Sequence, residues 1–468
     1  MSSTQPARPA WLSPRPGRHS PGLGRHSPGP SPAGLSRRAL LRGGAAALGA
    51  VAAGGALGGC SAGPPPGTAT WSMWSSSPQE QAVWDDFGRY VERRMKVRSV
   101  STLTPSEGYP TKLDLQLVSG TASIVTALNG WLIPTYASRG AHRPLDDLIA
   151  DDPDFDLSDF YPAIRSISSF GHKTYAIGFD VAPTVLYYNR TLLEKNGIDP
   201  PSPTEPMSWE HFSELAVELS RKPDQYGFTC APAIDDLVSW IYSAGGNVMN
   251  EAQDAGALHE PEALEAIGFV VDLFVKKKAA PPISNLVTED ALANFLQGNV
   301  AFMQNGPWQV VNVRKAPFEW DIVPFPAGPA GSRPRVSGSS FAIPSGVGGD
   351  ELKLAWRLLK TLTSTGALNI YARAGRNNPA RRSAGSAFTP PPRNLGIVQD
   401  ILAGRLPHAG GHPFDVTTNW NRVRQLLGQD LPRAFLGQVS VADAVGGLTT
   451  RLDVLMRQHQ DALRQAGG

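Results

Sequence analysis

Tyr175-Ala-Ile-Gly-Phe-Asp-Val-Ala-Pro-Thr-Val-Leu-Tyr-Tyr-Asn-Arg190 is apolar at Ile177, Val181, Val185 and Tyr187, the two-residue period of extended chain. Reading it as strand decides the fold class, because helix and strand patterns alternate on both sides of it. Upstream, Thr70 to Trp74 reads as a first strand and Pro78 to Arg94 as the helix behind it, with Val83, Phe87 and Tyr90 or Val91 on one face. Tyr109 to Val118 reads as helix, Ile124 to Leu128 as strand and Trp131 to Ala137 as helix. Downstream, Ser208 is placed to cap a helix carrying Phe212, Leu215 and Leu219. Pro261 opens another, with Leu264, Ile267, Val271 and Phe274 inward. Ser440 and Asp443 have capping-box spacing for a final helix with Leu448, Leu452 and Leu455 as its buried stripe. Such alternation predicts layered α/β lobes.

The amino-terminal part is of another kind. Residues 1–35 are rich in Pro, Ser, Gly and Arg and repeat Gly-Arg-His-Ser-Pro-Gly at 17–22 and 24–29; nothing there can bury a core, which predicts a disordered extension. Residues 36–59 combine Arg37-Arg38, an apolar run from Gly43 to Leu57 and small residues at the end, the layout of an export signal. The run is shorter than the roughly 20 residues a membrane-spanning helix needs. Arg37-Arg38 with Leu40-Leu41 resembles the twin-arginine export motif, and Leu57-Gly58-Gly59-Cys60 resembles the bacterial lipobox. That resemblance implies a diacylglyceride on the Cys60 thiol, cleavage before it, and a Pro/Gly tether over 60–68.

Two cysteines leave Cys230 without a partner once Cys60 is lipidated, so no disulfide framework is expected. The first 59 residues hold seven of the 43 Lys and Arg and no acid. The remainder carries 36 basic against 41 acidic side chains, net −5, which removes the electrostatic argument for nucleic acid as a partner. The chain has no HExxH helix, P-loop or GxSxG elbow. His408 and His412 have metal-ligand spacing, but Pro407, two glycines and Pro413 forbid the helix that would align them. Asp152, Asp154 and Asp156 begin like a calcium loop that Leu157 and Ala163 do not complete, so a solvated acidic loop is expected. No cofactor and no metal is predicted.

The central stretch, with Leu193, Gly197, Pro200-Pro201 and Ser208-Trp209-Glu210 after it, resembles the signature of extracellular solute-binding proteins of carbohydrate ABC importers, the maltodextrin-binding-like family. Gly298-Asn-Val-Ala-Phe-Met-Gln-Asn-Gly-Pro-Trp308, Trp320-Asp-Ile-Val-Pro-Phe-Pro326, Ser337-Gly-Ser-Ser-Phe-Ala-Ile-Pro344, Ala355-Trp356 and Gly375 with Pro379-Ala380-Arg381 extend the likeness in the same order. It departs after Gly120-Thr121, where Ala122-Ser123 stands in place of the family's Pro-Asp. The resemblance implies a two-lobed periplasmic-binding-protein fold of type II, an α/β architecture with a ligand cleft between lobes joined by hinge strands. Crossings fall near residues 181, 335 and 386, so that 69–181 and 336–386 form one lobe, and 182–335 and 387–468 the other. It further implies a monomer without enzymatic activity, held by its lipid at the outer face of the cytoplasmic membrane, with a sugar or oligosaccharide and an ABC permease as partners.

A sugar site needs flat apolar faces for the C–H sides of the ring and polar groups for its hydroxyls, at strand ends facing the cleft. The candidates are the platforms Trp308, Trp420 and Trp240, the carboxylate Asp180, and the turn residues Ser75, Ser76, Asn129 and Ser339, with Glu107 and Asn377 beside them. Two other readings stay open. One is a secreted carbohydrate-active enzyme using Asp180 and Glu107 as acid and base; the other is a binding protein for a non-sugar solute such as a polyamine or osmolyte.

Overall fold

The central stretch forms two strands that belong to different sheets. Ala176–Pro183 (β6) joins a six-stranded sheet and Val185–Asn189 (β7) a four-stranded one, so the chain passes from one layer system to the other at Thr184. The computed structural model describes residues 64–467 apart from Ser76, Glu107, 222–223 and 284–289. The expected extension, signal, lipidated Cys60 and the first residues of the tether, up to 63, lie outside the described residues.

In the first sheet, β1 (Ala69–Trp74) is flanked by β2 (Ser99–Thr104) and β3 (Val125–Asn129), both parallel to it. A two-residue hairpin, β4 (Ser169–Phe170) and β5 (Lys173–Thr174), precedes β6. The second sheet sets β7 antiparallel to both β9 (Val300–Asn305) and β10 (Trp320–Val323), with β8 (Tyr226–Thr229) parallel to β9. Strand β11 (Arg335–Ala342) returns to the first sheet, antiparallel to β3 and β6, and its first two residues pair with β12 (His412–Pro413).

Helices cover the sheets where the sequence supplies caps and apolar stripes. In Pro78–Met95 the Ser77 hydroxyl accepts the Glu80 N–H at 3.2 Å, and Val83, Trp84, Phe87, Val91 and Met95 are buried at three- and four-residue spacing. Of the two alternatives on that face, Val91 is in the core, while Tyr90 is half-buried with its hydroxyl on Ser364 at 3.2 Å. Ser208 caps Trp209–Glu218 as expected. Ser440 caps a separate short helix, Val441–Gly446, and the final helix begins afresh at Thr449. Gly446-Gly447 is the physical reason, since two glycines lose the most entropy in a continuous helix.

The buried side chains fall into three clusters. One runs from Ala69 to Val181 and resumes from Val336 to Ala384. The other two draw on Ala182 to Phe325 and on Ala387 to Met456, with Ala372 the one member from elsewhere. The last helix, Thr449–Gln465, buries Leu452 and Met456 in the second cluster and lays Ala462 and Leu463 on the first. Asp152 is tied to Lys360 and takes the Trp356 Nε1–H at 2.8 Å. Among the described residues no helix is long and apolar enough to cross a membrane.

Candidate functional site

Sheet register sets three polar residues side by side. Ser339 on β11 faces Asn129 on β3 to one side and Asp180 on β6 to the other. A register shift between Ser339 and Ser340 admits one extra residue on β6, Phe179. Gly338 must be glycine here, because a Cβ would lie 2.6 Å from the Asp180 carbonyl oxygen and 2.5 Å from Ile164.

Asp180 is 5% exposed. Its Oδ1 accepts the Ser339 N–H at 2.7 Å and its Oδ2 the Tyr371 hydroxyl at 2.6 Å. Burial pushes this carboxyl above the usual carboxylate range; bonds from Tyr371 and Asn377, the Arg376 charge and the Ser339 N–H oppose that rise. Burial and the Asp180 carboxylate together push the Tyr371 phenol well up, so Tyr371 is the donor.

Across a cleft of about 980 Å³, β9 ends in Asn305 and turns through Gly306-Pro307 into Trp308, which is half-buried. The Trp308 ring lies on Gly306 so closely that a Cβ there would be 1.9 Å from it. Arg376 reaches over from the first-sheet side: it donates to the Trp308 carbonyl at 3.2 Å and pairs with buried Glu80 at 3.2 Å. Two further half-buried tryptophans line the cleft. Trp74 ends β1 and packs edge-on against Tyr109 at 5.5 Å; Trp131 carries the Arg424 guanidinium over its ring at 4.9 Å.

The structure thus brings together Asn129, Asp180, Trp308, Ser339 and Asn377. It does not bring in Trp240 or Trp420, both 0% exposed. Trp240 sits at the centre of an aromatic cluster, 4.6 Å from the Phe325 ring, and donates to Gln304 at 2.6 Å. Trp420 starts the helix Trp420–Phe435, meets Phe414 edge-on at 4.9 Å and donates to Asp235 at 3.0 Å. Neither offers a free ring face, so both expectations are corrected to core residues. Ser75 does not line the cleft; its hydroxyl donates to the Ser77 carbonyl at 3.1 Å, a turn role. Ser76 and Glu107 lie outside the described residues.

Sequence reasoning missed Trp74, Trp131, Arg335, Tyr371 and Arg376. The first two had a signal, because each lies within two residues of a candidate already singled out at a strand end, Trp74 beside Ser75 and Trp131 two after Asn129. The others had none: their places depend on long-range register and, for Tyr371 and Arg376, on the buried partners Asp180 and Glu80.

Residues 75–368 match the family description bacterial extracellular solute-binding protein. The maltotriose-binding protein of Pyrococcus abyssi is 25% identical over 240 residues, 50% of this chain and 49% of that protein. The chain spans about half the length of the curated relatives it matches. Among solved structures, the Listeria monocytogenes ABC substrate-binding protein Lmo0181, in complex with cycloalternan, superposes with a TM-score of 0.72 at 19% identity, covering 85% of this chain and 98% of that one. UgpB of Mycobacterium tuberculosis, in complex with glycerophosphocholine, gives 0.70 at 19% identity over 83% and 98%. These structural likenesses carry the two-lobed α/β fold.

Proposed function

The chain belongs to the bacterial extracellular solute-binding proteins, and from that premise we propose that it captures a sugar or oligosaccharide by hinge closure and delivers it to the permease of an ABC transporter. The observation that carries this reading is the composition of the cleft. Half-buried faces of Trp74, Trp131 and Trp308 stand around hydroxyl-reading groups Asn129, Asp180, Ser339 and Asn377, the pairing of flat apolar surface with oriented polar atoms that a pyranose requires.

In this reading 69–181 with 336–386 moves as one lobe against 182–335 with 387–468. A ligand touching both lobes stabilises only the closed arrangement, and that difference in contact shifts the population. A diacylglyceride on Cys60 holds the protein, as a monomer, at the outer face of the membrane where the permease sits. It is not an enzyme: the Asp180 oxygens are already engaged by Ser339 and Tyr371, which suits a fixed acceptor better than a proton donor.

The test is a thermal-shift panel of mono- and oligosaccharides with glycerophosphocholine included, since a ligand at 100 times its Kd adds about 2.7 kcal/mol to stability. Shifts from sugars alone support the proposal. A shift from glycerophosphocholine alone replaces it with the non-sugar reading, and release of cleaved product from a labelled oligosaccharide replaces it with the enzymatic one.

A further inference from the structure

Arg335 opens β11 where the chain returns to the first sheet. Its backbone is pinned on both sides: the N–H donates to the Ser239 hydroxyl at 3.1 Å and the carbonyl accepts the Thr184 N–H at 2.9 Å. The side chain is led over the buried Phe414 ring, with its guanidinium carbon 4.8 Å from the ring centre, and it lines the cleft while only 8% exposed.

Among the described residues its Nε has no hydrogen-bond partner and its guanidinium forms no ion pair. Arg376, equally buried and likewise without a partner for its Nε, is held through its terminal nitrogens by Glu80 and the Trp308 carbonyl, bonds that Arg335 does not have among the described residues. A guanidinium carries five N–H donors in a rigid fork, and keeping the Arg335 Nε–H from water without an acceptor is unfavourable unless another molecule supplies one. The Arg335 charge does reach Asp236, holding that carboxyl down against burial, but without a bond between them.

We propose that Arg335 is a ligand-anchoring residue whose fork takes a pair of neighbouring oxygens of a neutral, polyhydroxylated ligand. The assignment rests on the sugar-binding reading above and adds to it a residue and a charge class. Neutrality follows from the wall: among the described lining residues, Glu80, Asp180 and Asp235 stand against Lys315, Arg335 and Arg376. Glu80 is paired to Arg376, and Asp235 to Arg424 at 2.8 Å. With Arg424 counted the wall is within one charge of balance, and ring hydroxyls would meet a donor fork and an acceptor, Asp180, on the same hinge sheet.

The test is calorimetric titration of wild type, Arg335→Met and Arg335→Lys with glucose, maltose and maltotriose, and with glucuronic acid and glucose 6-phosphate as acidic counterparts. Methionine keeps an apolar stem on Phe414 and removes every donor; lysine keeps the charge and loses the fork. The expected result is a Kd raised at least tenfold in Arg335→Met and by less in Arg335→Lys, with the melting temperature of the unliganded protein held or raised. Unchanged affinity in Arg335→Met overturns the assignment, whatever its melting temperature. Acidic sugars binding more tightly than neutral ones overturn the charge class. A wild type that binds none of the five overturns the sugar reading itself, and the role of Arg335 falls with it.

Discussion

Tyr371 donates its hydroxyl to Asp180 Oδ2 at 2.6 Å, with both residues buried. The bond ties the helix Thr365–Arg373 to β6 at the register position where the cleft begins. Tyr371→Phe removes the donor and leaves a buried carboxylate short of one partner, a loss of about 1–3 kcal/mol. The loss should depend on pH. Asp180 is already raised in the folded state and rises further without Tyr371, so its contribution to stability, complete below the ordinary carboxylate range, declines more steeply with rising pH in the variant. Urea denaturation at pH 4 and pH 8 should show the larger cost at pH 8. Equal costs would mean that Asp180 is uncharged at both.

Asp236 offers a second pH signature. Burial pushes its carboxyl up to about 6, with Arg335 opposing. A raised folded-state value gives stability that is complete below the unfolded value, near 3.8, and lost as pH climbs through 6. Relative to Asp236→Asn, wild type should therefore lose on the order of 2–3 kcal/mol between pH 4 and pH 7 and little beyond. A flat difference across that window would place the carboxyl in water.

Trp308→Ala should weaken sugar binding about tenfold to a hundredfold, or 1–3 kcal/mol, with little change in the unliganded melting temperature. Gly306→Ala should do nearly the same without touching the tryptophan, because the new methyl occupies the place of its ring. A collapsed melting temperature with intact affinity would move Trp308 into the core.

Trp420→Ala should behave in the opposite way. The ring is fully buried against Phe414, and truncation leaves a cavity and an unpaired Asp235 oxygen, for about 3–5 kcal/mol of lost stability. Trp420→Phe should recover the packing but not the bond. If either variant kept its stability and lost ligand, Trp420 would be a cleft residue after all.

Cys60→Ala should leave the protein unacylated, since the other cysteine, Cys230, is sealed in the second-sheet core. Metabolic labelling with a fatty-acid probe reads this directly, and a labelled variant would remove the anchor from the proposal.

How legible the molecule was from its residues can be seen at its tryptophans. Period and caps located β1, β3, β6 and their helices to within a residue or two, because those signals are local. Trp308 was readable through the family resemblance, which implies an aromatic platform at the Gly-Pro-Trp turn. Trp240 and Trp420 were not, because whether an indole is covered depends on partners far along the chain, Phe325 and Gln304 for one, Phe414 and Asp235 for the other. Arg335 was invisible for the converse reason: its distinction is a partner it lacks among the described residues, and absence has no sequence pattern.

Strand β11 is shared by two duties. Residues 339–342 lie between β3 and β6, while 335 and 336 pair with β12, and the same eight-residue strand carries Ser339 and Arg335 to the cleft. In the closure proposed above, the element that flexes and the element that senses are one piece of backbone. Lobe angle and ligand grip then share a single mechanical coordinate, and selecting variants for tighter binding at either residue would also retune the resting angle of the empty protein. Substitutions at Trp308, on a turn beyond the strand, would change grip alone.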